Sequence, residues 1–144
     1  MILIWREGCL DVRVKGITGK LFDIEVQLEK DYMNERGLFY GGRMVFGEFQ
    51  SRTPYNLLPQ VCVINITNFY IREGSKELVE SIGIMYRREP VETATKVFEM
   101  YHIQLPVFRK KCKTLDSVKD NLFLTWLYLL AQGYKSEEEM KMTT

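Results

Sequence analysis

Histidine is nearly absent: His102 is the sole one among 144 residues. A Cys/His zinc centre or a histidine-based catalytic triad therefore has too few parts. Cysteine is almost as scarce, and Cys9, Cys62 and Cys112 are widely separated, odd in number and without a C-x-x-C pair. They read as reduced thiols of a cytosolic protein rather than a disulfide framework. Proline occurs four times, which excludes a Pro-rich linker class. Neither charge sign dominates, with 20 Lys and Arg against 19 Asp and Glu, a net charge of +1. Global electrostatic attraction to nucleic acid is excluded, and any such binding needs a local patch. No apolar run approaches the roughly 20 residues of a membrane span. Arg6 and Glu7 interrupt the apolar start too early for a secretory signal peptide. What remains, 46% hydrophobic and 27% charged, is the composition of one soluble globular domain.

The chain is strongly patterned. Residues 2–5 form a short apolar segment suited to an edge strand. Residues 9–15 alternate Leu10, Val12 and Val14 with Asp11, Arg13 and Lys15. Residues 21–28 alternate Phe22, Ile24, Val26 and Leu28 with Asp23, Glu25 and Gln27. Period-two alternation marks half-buried strands, and Gly16-Ile17-Thr18-Gly19 between them marks a hairpin turn. If the polar faces are to coincide, paired residue numbers sum to an even value. Centring the turn on Thr18 sets Asp11 opposite Glu25, Arg13 opposite Asp23 and Cys9 opposite Gln27. Two opposed carboxylates repel unless something cationic lies between them, and a divalent metal is one solution.

Residues 33–50 change to a helical period. Leu38, Phe39, Gly42, Val45, Phe46 and Phe49 are expected to form the core-facing stripe, while Arg36, Tyr40, Arg43 and Gly47 lie on another. The near-continuous apolar run 61–67 suits a strand buried on both faces, which completes a right-handed βαβ unit. Further strands are expected at 78–86 and 97–105, the latter stopped by Pro106. A helix is expected at 116–132, closed by Gly133. Ser136 with Glu139 resembles a capping box opening another helix. Arg109-Lys110-Lys111-Cys112-Lys113 is the one dense basic cluster, either a solvated turn or a contact to phosphates.

Asp11, followed on the adjoining strand by Glu25-Val26-Gln27, is an arrangement that metal-dependent phosphodiester cleavage uses. Two hard oxygen ligands hold the metal, and a third polar group on the same face positions water or phosphate. Spacing alone also fits an ordinary solvated hairpin face balanced by Arg13 and Lys15.

Several ordered motifs resemble those of the PD-(D/E)XK nuclease family transposases. Leu10-Asp11-Val12 resembles the strand bearing the family's first acid. Phe22-Asp23-Ile24-Glu25-Val26-Gln27 resembles its N-I-E-I-Q strand, where Gln replaces the usual Lys. Arg36 followed by Leu38-Phe39-Tyr40 resembles R-x-L-Y-Y, and Tyr55, residues 57–61 and Ile64-Asn65-Ile66 resemble Y-x-x-L-x-P-V-I-x-I-N-I-L. His102-Ile103-Gln104-Leu105-Pro106 resembles H-x-x-E-L-P, and Trp126-Leu127 falls where the family has a Trp-bearing helix. Glu48, Arg52 and Gln104 stand where the family often has Gln, Gly and Glu.

The resemblance implies an α/β fold: a restriction-endonuclease-like mixed sheet whose hairpin carries the acidic site, with a crossover helix and a C-terminal helix. It implies a nuclease-like domain at 1–133, without the family's N-terminal helical segment, and a tail at 134–144. It implies a cytoplasmic Mg²⁺- or Mn²⁺-dependent DNA endonuclease. Asp11 and Glu25 would ligate the metal, Gln27 would stand for the Lys, and Arg36 and Tyr40 would line the site. Arg36, Arg109, Lys110 and Lys111 are the candidate DNA contacts, and His102 reads as structural. No membrane is expected as a partner. The rival reading is a truncated, catalytically inactive relative that binds DNA or a protein, or forms a homo-oligomer through an exposed apolar patch.

Overall fold

A computed structural model describes residues 2–6 and 9–133, with side chains from Asp11 onward. Strands β1 (Ile2–Arg6), β2 (Cys9–Lys15) and β3 (Leu21–Gln27) form an antiparallel meander. Gly16 N–H donates to Lys20 O at 2.8 Å, and Gly19 N–H to Gly16 O at 3.0 Å, closing the hairpin between β2 and β3. Gly19 has φ +85°, a left-handed conformation that glycine adopts without steric cost. The register is the one the polar pattern requires: Asp11 opposes Glu25, Arg13 opposes Asp23 and Cys9 opposes Gln27.

Helix α1 (Met33–Glu48) then crosses to β4 (Val61–Thr67), which pairs parallel to β3. Strands β5 (Val79–Met85) and β6 (Thr93–Gln104) form an antiparallel pair, and β6 lies parallel to β4. The six-stranded order is β1-β2-β3-β4-β6-β5. Three parallel strands thus occupy the centre, and antiparallel strands flank them. The mixed sheet with its crossover helix is the expected restriction-endonuclease-like architecture.

Each face of the sheet has its own core. On one, Val26, Ile66 and Ile103 pack with Leu105 and Phe108 of α2 (Leu105–Lys111) and Leu127 and Ala131 of α3 (Leu122–Gly133). On the other, Leu21, Val61, Val63, Phe98 and Met100 lie beneath α1, with Met44 and Val45 against them.

The packing of α1 differs from the sequence expectation. Leu38, Phe39 and Phe46 are 61%, 61% and 78% exposed, while Met33, Gly37 and Gly41 are buried. The inner stripe repeats at i, i+4 and i+8, and two of its members have no side chain. A Cβ at Gly41 would collide with the Phe98 ring, and one at Gly37 would lie 2.6 Å from Met100 Cε. The helix backbone therefore approaches the sheet, and large residues from the sheet fill the space. Of the expected apolar stripe Val45 packs on the core, whereas the larger Leu38, Phe39 and Phe46 point outward.

The C-terminal half also departs in detail. Pro106 ends β6 but opens α2, because the first turn of a helix needs no N–H from it. The basic cluster consequently begins on a helix, not in a turn. Residues 115–117 form a 3₁₀ turn, and α3 starts only at Leu122. There Asn121 Oδ1 accepts from Leu124 N at 3.0 Å and caps the helix. Ser136 and Glu139 lie outside the described residues.

Candidate active site

Alternation and register together sort the α1-side face of the sheet into two halves. Near the hairpin turn it is apolar. Toward the C-terminal ends of the parallel strands it turns polar, with Asp23, Glu25, Asn65, Thr67, His102 and Gln104 all buried. One row crosses five strands: Asp11 pairs with Glu25, Glu25 with Asn65, Asn65 with His102, and His102 with Glu80. Period two puts the row's side chains on one face, because neighbouring residues on paired strands point the same way.

Two arginines meet the acids. From β2, Arg13 lies 3.4 Å from Asp23 Oδ1 through Nε and 3.7 Å from Asp11 Oδ2 through Nη2. From α1, Arg36 Nη2 donates to Glu25 Oε1, and its Nη1 donates to Asp31 Oδ2 at 2.6 Å. The Tyr40 ring, one turn along α1, lies 5.8 Å from the Arg13 guanidinium carbon and 5.9 Å from that of Arg36. Burial pushes the Asp23 carboxyl up to about 7, and the adjacent Asp11 carboxylate adds to the shift. Asp31, exposed at the rim, is held below the usual carboxylate range by its bonds from Arg36 and from Tyr32 N–H.

Further along the row, His102 is fully buried. Its Nε2 meets Asn34 Oδ1 at 2.8 Å, and its Nδ1 meets Asn65 Nδ2 at 3.3 Å. Burial lowers its pKa, which favours the neutral ring. Gln104 is committed to the fold: Oε1 accepts from Ile71 N–H, while Nε2 donates to Ser75 Oγ and Glu77 O.

Four buried side-chain oxygens, Asp11 Oδ1, Gln27 Oε1, Asn65 Oδ1 and Asn68 Oδ1, find no hydrogen-bond donor among the described residues. Buried acceptors without partners are costly, and those of Asp11, Gln27 and Asn65, on adjacent strands and the face that carries Glu25, suit a cation. No group of three or more His, Cys, Asp or Glu among the described residues is placed to hold a metal. Asp11 and Glu25 would thus need amide oxygens or water to complete a shell. Mg²⁺ and Mn²⁺ accept such hard, mixed oxygen sets, whereas Zn²⁺ favours nitrogen and sulfur.

A family model for PD-(D/E)XK nuclease family transposases matches residues 5–144. The chain belongs to that family. Neither the curated proteins nor the solved structures give a match. PD-(D/E)XK nucleases generally use divalent metal ions, and the family implies a DNA substrate.

On this PD-(D/E)XK fold, Asp11, Glu25, Arg36 and Tyr40 converge, and Gln27 follows Glu25 on the same face. Arg109, Lys110 and Lys111 do not join them. They end α2, which packs on the opposite face of the sheet. There Arg109 Nη2 donates to Ala131 O at 3.3 Å, and Lys110 Nζ lies 5.3 Å from the Tyr70 ring centre. Pattern and motif assign no site role to Arg13, Asn34 or Asn65. Asn65 carried a signal, since a polar residue within a strand buried on both faces needs a partner. No helix among the described residues is long and apolar enough to cross a membrane.

Proposed function

We propose that this chain hydrolyses phosphodiester bonds in DNA, using Mg²⁺ or Mn²⁺ held by Asp11 and Glu25. The observation that carries the reading is the direct opposition of these two acids on one face of the sheet, with Asp11 Oδ1 buried and unpartnered among the described residues. When bound, the cation polarises the phosphate and lowers the pKa of the attacking water.

The protein's own groups do the rest. Glu25 is 4% exposed and fixed by Arg36, so its position is set before substrate arrives. Asp11, a quarter exposed at its side chain, forms the open side of the site. Gln27 stands where the superfamily usually has Lys. Being neutral, it orients water or phosphate through its amide and adds no positive charge. Stabilising the extra negative charge of the transition state then falls to Arg36 and Arg13, both within the acidic cluster. Tyr40 places its ring within about 6 Å of both guanidinium groups. Beside the site, a cleft of about 380 Å³ between the hairpin and α1 is lined by Arg13, Lys15 and Arg43, with Glu48 paired to Lys15 at 2.8 Å. These cations suit the phosphate backbone of a strand led toward Asp11.

The second reading, a non-catalytic DNA-binding relative, is favoured by one observation: Arg36 already neutralises Glu25. Supercoiled plasmid incubated with Mg²⁺ or Mn²⁺ separates the two. Hydrolysis predicts nicking or linearisation that EDTA, Asp11→Ala and Glu25→Ala each abolish. A folded wild-type protein that binds plasmid without cutting it supports the second reading. Cleavage that survives both substitutions places the chemistry elsewhere.

A further inference from the structure

Asn65 occupies the middle of the polar row, on the central strand β4, with β3 on one side and β6 on the other. Its side chain is wholly buried. Nδ2 reaches toward β6, where it meets His102 Nδ1 at 3.3 Å. A carboxamide is planar, and its oxygen diverges from its nitrogen, so Oδ1 is turned away from His102. The residue paired with Asn65 on β3 is Glu25. Oδ1 is also one of the buried oxygens with no donor among the described residues.

An amide oxygen directed at a buried carboxylate is a poor arrangement by itself, because two acceptors face each other across a site of low dielectric. The reverse orientation would let Nδ2 donate toward Glu25. His102 decides between them. Asn34 Oδ1 lies 2.8 Å from Nε2. With the Asn34 amide in this orientation its oxygen accepts, and the matching tautomer of His102 carries its proton on Nε2. Nδ1 is then left as an acceptor, and it takes Asn65 Nδ2. In that tautomer the chain Asn34–His102–Asn65 holds the amide nitrogen on His102 and leaves its oxygen for the strand pair beside Glu25.

We propose that Asn65 supplies a third protein oxygen to the cation at Asp11 and Glu25, and that His102 and Asn34 are positioning residues that turn it there. Amide oxygens are ordinary ligands of hard divalent cations. A neutral third donor binds without adding to the charge that Asp11 and Glu25 already concentrate. The inference rests on the cation site proposed above and adds the side of that site formed by β4.

The test measures Mn²⁺ affinity of the full chain by calorimetry, without DNA, together with the tautomer of His102 by ¹⁵N NMR. The sole histidine makes that spectrum unambiguous. Wild type is expected to bind Mn²⁺ and Asp11→Ala to lose binding. Asn65→Ala should weaken binding by at least about tenfold, the scale seen when a ligand's surroundings are removed. Asn65→Asp should restore binding, because it returns an oxygen. His102 should carry its proton on Nε2. Should Asn65→Ala fail to fold, the exposed Asn34→Ala frees Nε2 and is expected to weaken Mn²⁺ and alter the tautomer balance. Wild-type affinity in both Asn65→Ala and Asn34→Ala, with Asp11→Ala inactive in binding, overturns this inference alone. A proton on Nδ1 overturns it as well, since the amide would then present Nδ2 to Glu25. Absence of Mn²⁺ binding in wild type overturns both this inference and the cation site.

Discussion

Asp23 is the residue where the site's electrostatics meets stability. Its carboxyl is 2% exposed and raised to about 7, chiefly by burial and then by Asp11. In the unfolded chain it ionises near pH 4, so between about pH 4 and pH 7 the folded state holds a proton that the unfolded state has lost. Stability therefore falls as pH rises through that window. Asp23→Asn removes the titrating group. In EDTA it is expected to match wild type near pH 4 and exceed it at pH 8 by on the order of 2–3 kcal/mol, several degrees in Tm. Parallel pH profiles for the two proteins in thermal denaturation would contradict this. Arg36→Ala should act in the other direction. It leaves buried Glu25 without its guanidinium and should cost about 3 kcal/mol in urea unfolding at neutral pH, with no loss if the pair contributes nothing.

Much of this residue-scale picture was legible. Alternation gave Asp11, Glu25 and Gln27 a common face, and the even-sum rule with the turn centred on Thr18 set who opposes whom. What could not be read was the reach of β4 and β6 into the site. Strand order places Asn65 between Glu25 and His102, and nothing local to residues 61–67 or 97–105 specifies that order.

At the scale of elements, α1 decides the geometry, since Arg36 and Tyr40 reach the acids only because the helix lies close to the sheet. The methyl of Gly41→Ala meets the ring of Phe98. The helix must lift, and the substitution should cost about 1–3 kcal/mol. Gly37→Ala should cost less, since it meets the flexible end of Met100. Gly42 has open space about it, so Gly42→Ala should stabilise by up to about 1 kcal/mol through helix propensity. Urea unfolding of the three variants checks the order, and equal effects at Gly41 and Gly42 would contradict the close approach. The helix itself was readable from its period, but its inner face was not. Periodicity weighs side chains that are present, and here the contact is made where they are missing. Helix α2 was hidden for a related reason: Pro106 reads as a terminator of β6 while also being a good first residue of a helix.

For the whole molecule, a near-neutral chain must concentrate its positive charge to bind DNA, and two places compete. Arg13, Lys15 and Arg43 line the cleft beside the acids, whereas Arg109, Lys110 and Lys111 lie at the end of α2 on the other side of the sheet. Arg43→Ala is expected to weaken DNA binding and to lower the slope of log affinity against log salt by about 1. Arg109→Ala should leave that slope unchanged and instead lower stability, because its guanidinium serves the carbonyl of Ala131 at the end of α3. A salt slope that responds only to Arg109 would move the DNA to the other face.

The central claim is that water, directed by Asp11 and Glu25, attacks the DNA phosphate. Cleavage of supercoiled plasmid in H₂¹⁸O with Mn²⁺, followed by mass spectrometry of the new phosphate ends, tests it most directly. Hydrolysis predicts one solvent oxygen in each new phosphate and no product from Glu25→Ala. Cleavage products whose phosphates carry no ¹⁸O would mean that a DNA hydroxyl is the nucleophile, and would contradict the account.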